Sequence, residues 1–355
     1  PVLLNCSLMS AAVFWAPTKP EPALGLAMGV MLAGVLQLLF QLPSLHALKL
    51  TPKPVWDTQD AGVRKILMLM VPALFGVSVS QINLLFDTVL ASLLPNGSVA
   101  WLYYSDRLTE LPLGVFAIAI ATVILPALSA LNTRAAADEF SQTLTWAVRN
   151  VLLIAVPATV ALWLLAEPIL TALFQYGAFT TNDVTMAAAS LRAYTLGLGA
   201  FMLIKVLAPG YYARQDMKTP VKIGIVAMVS NMVLNVLFVF PLMWYFDMGH
   251  VGLALATSAS AWINAALLYR GLRRGGIPLT GVFDIRYMVR LLVAVTVMAG
   301  VIYVSVPDLR DWFAADMSWR VTRLLMIVTA GAVSFAGVLV LLGLRVAEIK
   351  GPRSS

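Results

Sequence analysis

Charge is scarce in this 355-residue chain. Asp, Glu, Lys and Arg make up 12% of it, while hydrophobic residues make up 60% and the mean hydropathy is +0.87. An ordinary soluble domain carries about 25% charged residues. So little charge leaves too few polar side chains to cover a globule, which excludes a common soluble enzyme and a disordered tail. Cysteine occurs once, at Cys6, so an internal disulfide and a cysteine-rich metal site are both excluded. Histidine occurs twice, and His46 and His250 both fall in expected connections. H-E-x-x-H, G-x-S-x-G, a phosphate-binding glycine loop and a nucleotide fingerprint are all missing. The chain is therefore expected not to be an enzyme, to hold no organic cofactor and to hydrolyse no ATP.

Apolar runs are what the sequence has in quantity. A helix needs about 20 apolar residues to cross a bilayer. Ten stretches qualify, at roughly 1–16, 24–43, 63–94, 99–131, 149–174, 188–212, 221–246, 251–270, 287–306 and 319–344. The fold expected is an all-α polytopic membrane protein with about ten transmembrane helices. Pro72, Pro112 and Pro126 predict kinks, or extensions beyond the bilayer, in the third and fourth stretches. The chain opens on Pro1 inside an apolar run with no charged leader, which reads as a start in mid-helix rather than a signal peptide.

Lys and Arg set the orientation. Seventeen of them lie on one alternating set of connections and four on the other, Lys19, Arg310, Arg320 and Arg323. This bias explains the net charge of +7 without a nucleic-acid partner, and places the C-terminus in the cytoplasm. Three basic residues remain inside spans, Arg107, Arg192 and Lys205, beside four acids, Asp87, Asp106, Glu110 and Glu167. Ionisable groups in lipid are costly and normally face a cavity or a partner.

A repeat organises the spans. Pro1-Val2 with Met9 recurs as Pro220-Val221 with Met228, and Gly25-Leu26-Ala27 with Gln37 recurs as Gly252-Leu253-Ala254 with Asn264. The offset is six spans, an even number, so both copies point the same way and imply two six-helix lobes. The division expected is 1–43 for the last two helices of a first lobe, 44–62 for a cytoplasmic linker, 63–272 for a complete second lobe and 285–345 for two appended helices. Four helices of the first lobe would then precede this chain. The linker would be partly an amphipathic surface helix.

Asp106, Arg107 and Glu110 share one side of a helix. One reading is a self-neutralising ion pair. The other is an anion site, in which the arginine fork takes phosphate oxygens and the acids hold it in place. Gly76, Ser80, Asn83 and Asp87 form a polar stripe, and Asn231, Asn235 and Thr257 lie on later spans. Oxygen donors without sulfur or imidazole suit a hard cation, so Asp87, Asn231, Asn235 and Thr257 make a candidate sodium or proton coupling site. Small polar residues also join membrane helices by hydrogen bonds alone. Lys205, about two turns from its span end, reads by default as snorkelling and is kept as a candidate substrate contact. Arg192 is expected to snorkel, and Glu167, before Pro168, is given no role.

Four stretches carry a resemblance: Val71 to Asn83 (VPALFGVSVSQIN), Tyr103 to Phe116 (YYSDRLTELPLGVF), Leu173 to Thr180 (LFQYGAFT), and Lys205 to Asp216 (KVLAPGYYARQD) with Lys218 to Val221. Together they resemble the MurJ (MviN) family of lipid II flippases, in the multidrug/oligosaccharidyl-lipid/polysaccharide exporter superfamily. The resemblance implies fourteen helices in two lobes plus an appended pair, and makes this chain the fifth helix onward. It implies movement of the undecaprenyl-pyrophosphate-linked peptidoglycan precursor, lipid II, to the outer leaflet of the bacterial inner membrane by alternating access. Arg107, with Asp106 and Glu110, matches the family's charged motif and would engage the pyrophosphate. The appended pair would form a groove for the lipid tail. Membrane lipids and lipid II are the partners implied, and the protein is expected to be a monomer. The alternatives are another exporter of the superfamily, for a polysaccharide lipid or a cation-coupled drug, and a non-transporting scaffold for cell-wall assembly.

Overall fold

A computed structural model describes residues 2–50 and 60–344, apart from the side chains at 61, 65, 69 and 71–80. Every regular element among the described residues is helical. The chain divides into two compact units, Pro1–Val71 and Pro72–Ser355.

The first unit holds α1 (Val2–Ser10) and α2 (Pro22–Ala47). Between them the chain passes through a wide π turn, Ala11–Trp15, and a tight 3-10 turn, Ala16–Thr18. A Cβ at Gly25 would stand 2.8 Å from the Ala16 Cα, so only glycine allows this approach. Ser7 donates to the Gly29 carbonyl across the same contact. His46 lies in the last turn of α2 rather than in a connection, because apolar residues continue to Ala47 and carry the helix with them. The linker expected over 44–62 is thus shortened at both ends: 44–47 finish α2, and α3 (Ala61–Ser92) has begun by 61. The surface helix expected within it falls on 51–59, outside the described residues, as do Lys53, Arg345, Lys350 and Arg353.

The second unit is arranged around α8 (Thr181–Tyr212). It packs on α4 (Ser98–Pro112), α5 (Ile118–Thr133), α6 (Ala137–Leu164), α7 (Ala166–Phe174) and α10 (Gly249–Arg274). Its buried face is rich in small residues, among them Ala187, Ala193, Gly197 and Ala200, which let neighbouring backbones come close. One core cluster joins Leu128, Leu144, Val151, Met202, Leu207 and Leu272 from these helices. α9 (Lys218–Phe246) pairs with α10, and a Cβ at Gly252 would stand 2.8 Å from Val239 Cα. Gly25 and Gly252, matched by the sequence repeat, therefore serve the same kind of helix–helix contact. α11 (Ile285–Ser305) and α13 (Met317–Leu341) pack on each other and on α6 and α7, through Ala294, Met298, Ile302 and Ile327, with the short α12 (Leu309–Ala314) beneath.

Proline explains two departures from simple spans. Pro112 ends α4, and a π turn over Leu113–Ala117 carries the helix on into α5. The stretch expected at 149–174 is two helices. Pro168 has no N–H to give the Leu164 carbonyl, so α6 stops at Leu164 and α7 restarts with Pro168 in its first turn, where no donor is needed. Eight helices among the described residues are long and apolar enough to cross a membrane. The other two expected spans correspond to Val2–Thr18, which is shorter, and to α3, which has 32 residues. Large apolar side chains such as Leu84, Val123, Leu237 and Val340 point outward, as a lipid-facing surface requires.

Candidate functional site

The charged triad sits on α4, opposite the face that packs on α8. Trp101, Leu102, Ser105, Leu108 and Thr109 form the packed face. Ser105 donates to the Ala187 carbonyl of α8 at 2.7 Å, which fixes the rotation of α4. Trp101 adds a second tie, its indole N–H donating to Asp183 at 2.8 Å. With that face committed, Asp106, Arg107 and Glu110 are turned the other way and remain about half exposed. Arg107 Nη1 donates to Glu110 Oε2 at 2.6 Å, its Nη2 lies 4.0 Å from Asp106 Oδ2, and its guanidinium covers the Tyr103 ring at 5.1 Å. The ion pair anticipated by the spacing is formed, but on an open face rather than sealed in the core. Lys205 is exposed on α8 and makes no hydrogen bond or ion pair with the described residues, so no contact of that kind joins it to the triad.

A second polar cluster joins α3, α9 and α10. Asn231 and Asn235 are almost fully buried, and Asn235 Nδ2 donates to Asp87 Oδ1 at 2.6 Å. Asn83 donates to the other Asp87 oxygen at 3.3 Å, and Asn231 Nδ2 lies 3.4 Å from both Thr257 Oγ1 and Ser260 Oγ. Asn231 Oδ1 stands 3.0 Å from Asn83 Oδ1 and 3.3 Å from Asp87 Oδ1. Turning the Asn231 amide over removes this conflict: its nitrogen then donates to Asn83 Oδ1 and Asp87 Oδ1, and its oxygen accepts from the Thr257 N–H at 3.2 Å. Asn235 Oδ1 is buried with no hydrogen-bond partner among the described residues. The four residues singled out in the sequence are thus brought together, and Asn83 joins them. Gly76 and Ser80 of the stripe lie outside the described side chains. No group of three or more His, Cys, Asp or Glu capable of holding a metal occurs among the described residues.

Three polar contacts differ from the sequence reading. Arg192 does not snorkel: Nη2 and Nη1 reach the two Glu167 oxygens at 3.0 and 3.3 Å, tying α8 to α7. Opposite charges at the outer ends of successive elements were the available signal. Arg320 is not a loop residue but is buried in the first turn of α13, donating to the carbonyls of Trp312, Phe313 and Thr171 at 2.9, 3.1 and 3.3 Å. His250 is fully buried in the first turn of α10, its Nε2 3.2 Å from the Met186 carbonyl and its ring against Trp101. Outside the spans, just ahead of α9, Asp216 accepts the Thr219 N–H at 3.0 Å, which holds its carboxyl below the ordinary value.

An all-helical bundle with an apolar exterior, a charged triad on one span and a carboxylate–amide cluster between three others defines a polytopic membrane protein. The family model described as lipid II flippase MurJ matches residues 1–323. A probable lipid II flippase MurJ of Vibrio cholerae is 49% identical over 350 residues, covering 99% of this chain and 66% of that protein. The Haemophilus influenzae protein described in the same words is 48% identical, over 97% of this chain and 68% of its own length. The lipid II flippase MurJ of Burkholderia cenocepacia is 40% identical over 91% of this chain and 61% of its own length. Among solved structures, a lipid II flippase MurJ in an inward closed conformation superposes with a TM-score of 0.72 at 24% identity, over 97% of this chain and 67% of that one. The chain belongs to the lipid II flippase MurJ family. It spans about two thirds of the length of the curated relatives it matches.

Proposed function

We propose that the protein carrying this chain moves lipid II from the inner to the outer leaflet of the bacterial cytoplasmic membrane. The observation that carries this reading is a permanent cation, Arg107, half exposed on the unpacked face of a membrane-spanning helix in a chain of this family. Between substrates Glu110 occupies the guanidinium fork. A pyrophosphate, with more oxygens and more charge, displaces it, and Glu110 recaptures the arginine when the lipid leaves. Lys205 adds a second positive charge to the path. No covalent bond is made or broken.

In this scheme residues 1–43 belong to one lobe, 63–272 to a second, and 285–345 form the appended pair beside the lipid tail. The lobes expose the cavity alternately to each side of the membrane, and the C-terminus stays in the cytoplasm. The protein works as a monomer. Asp87, Asn231, Asn235 and Thr257 bind the coupling cation, sodium or a proton. The Asp87 carboxylate held by Asn83 and Asn235, with the buried Asn231 beside it, supports that assignment.

The test supplies a cell depleted of its own flippase with the protein or its Arg107→Ala variant, and measures lipid-linked precursor reaching the outer leaflet. Transport by the parent and a loss of roughly tenfold to a hundredfold in the variant, at equal membrane levels, is expected for a lost charge-assisted hydrogen-bond pair. Equal transport by both would remove Arg107 from the path.

A further inference from the structure

We propose that the corner where α10 meets the loop to α11 binds the phosphodiester headgroup of an anionic phospholipid. Two adjoining shallow, open concavities of about 360 and 470 Å³ lie there, and Tyr269 and Arg273 line both. The loop that walls them is held in place from α6. Ser141 donates to the Pro278 carbonyl, and Arg149 Nε donates to the Gly281 carbonyl at 2.8 Å. Arg149 also faces Asp284 at 3.7 Å and covers the Tyr287 ring, so its charge is already engaged.

The last turn of α10 is different. Arg270, Arg273 and Arg274 line the first concavity, and none of them pairs with a carboxylate among the described residues. A helix C-terminus offers roughly half a negative charge. Three guanidinium groups exceed that, and Arg214 adds a fourth nearby, its Nη1 2.9 Å from where a Cβ of Gly275 would stand. A site built this way takes an anion with several acceptor oxygens.

The apolar neighbours choose between anions. Phe283 lines the second concavity edge-on to Tyr269, with ring centroids 6.0 Å apart, and is 67% exposed. Ile285 beside it is 76% exposed. A free phosphate has no use for these side chains, whereas the glycerol and first methylenes of a lipid do. The corner stands at the end of one span and the start of the next, on the membrane face that carries the arginine-rich connections. Basic pockets between helices at such a boundary are where acidic headgroups bind. Orientation by charge alone would require the arginines but not the pinned loop or the aromatic shelf. The site would fill whether or not the protein transports lipid II.

Delipidated protein in detergent is titrated with dioleoylphosphatidylglycerol, with dioleoylphosphatidylcholine and with inorganic phosphate, and bound ligand is counted by native mass spectrometry. The parent should prefer phosphatidylglycerol. The triple variant R270Q/R273Q/R274Q should lose that affinity by about tenfold or more, at roughly one contact's worth of attraction per arginine. The charge-matched variant R134Q/K218Q/K222Q, which removes three cations elsewhere, should stay within about twofold. An equal fall in both variants would overturn the proposal, as would equal binding of the two lipids. Binding of inorganic phosphate with no preference for the acidic lipid would also overturn it, leaving a simple anion site. Should the triple variant not fold, R273Q alone decides, since Arg273 lines both concavities.

Discussion

Asp87 is the one carboxylate in the buried cluster among the described residues, and its two oxygens are shared between Asn83 and Asn235. Replacing it by alanine removes the formal negative charge that the described residues offer a cation there. Half-maximal transport in the Asp87→Ala variant should need at least about tenfold more sodium, the loss expected when one charged ligand goes. A sodium dependence that survives unchanged would exclude the cluster as the coupling site. Asp216 offers a pH-dependent counterpart outside the membrane. Its carboxyl is held below the ordinary value of 3.8 by accepting from Thr219. A lowered pKa means the ionised form is favoured by folding, so its contribution is full above about pH 4 and fades as pH falls through the lowered value. The Asp216→Ala variant should therefore melt earlier than the parent at pH 7, and the difference should narrow in acid. A constant difference across pH 3 to 7 would assign the effect to packing instead.

Among the elements, α12 and the start of α13 depend on a single side chain. Arg320 supplies donors to three carbonyls that lie at helix ends or in connections, and only a buried cation with a planar fork reaches all three. The Arg320→Met variant keeps the volume and leaves those acceptors unsatisfied, at a cost of about 2–3 kcal/mol or more. Thermal unfolding in detergent should show the loss; an unchanged midpoint would mean that water replaces the guanidinium. Sequence reading placed Arg320 in a connection on the side poor in Lys and Arg, not inside the protein. Hydropathy weighs a residue by its own chemistry, whereas burial here depends on carbonyls contributed by α7 and α12. The break at Pro168 was missed for a related reason: the apolar run continues through it, and only the missing N–H divides α6 from α7. The triad on α4 was legible because i,i+3 and i,i+4 spacing fixes a helical face without any partner.

For the molecule as a whole, the arrangement in the membrane follows from the distribution of Lys and Arg. With Cys6 changed to serine, a cysteine at Asp308 should react with a membrane-impermeant reagent in intact cells, and one at Asp138 only after lysis. The reverse pattern would invert the orientation. The helical class, the apolar exterior and the shared face of Asp106, Arg107 and Glu110 were settled by composition and local spacing, because lipid permits few other ways to satisfy a backbone. The meeting of Asp87 with Asn231, Asn235 and Thr257 was anticipated by residue type, but their distances, and the part played by Asn83, were decided by how α3, α9 and α10 pack. The pairing of Arg192 with Glu167, the burial of Arg320 and His250, and the arginine corner at the end of α10 belong wholly to tertiary structure. Each needs groups from more than one element, and periodicity within one helix carries no information about which neighbour will face it.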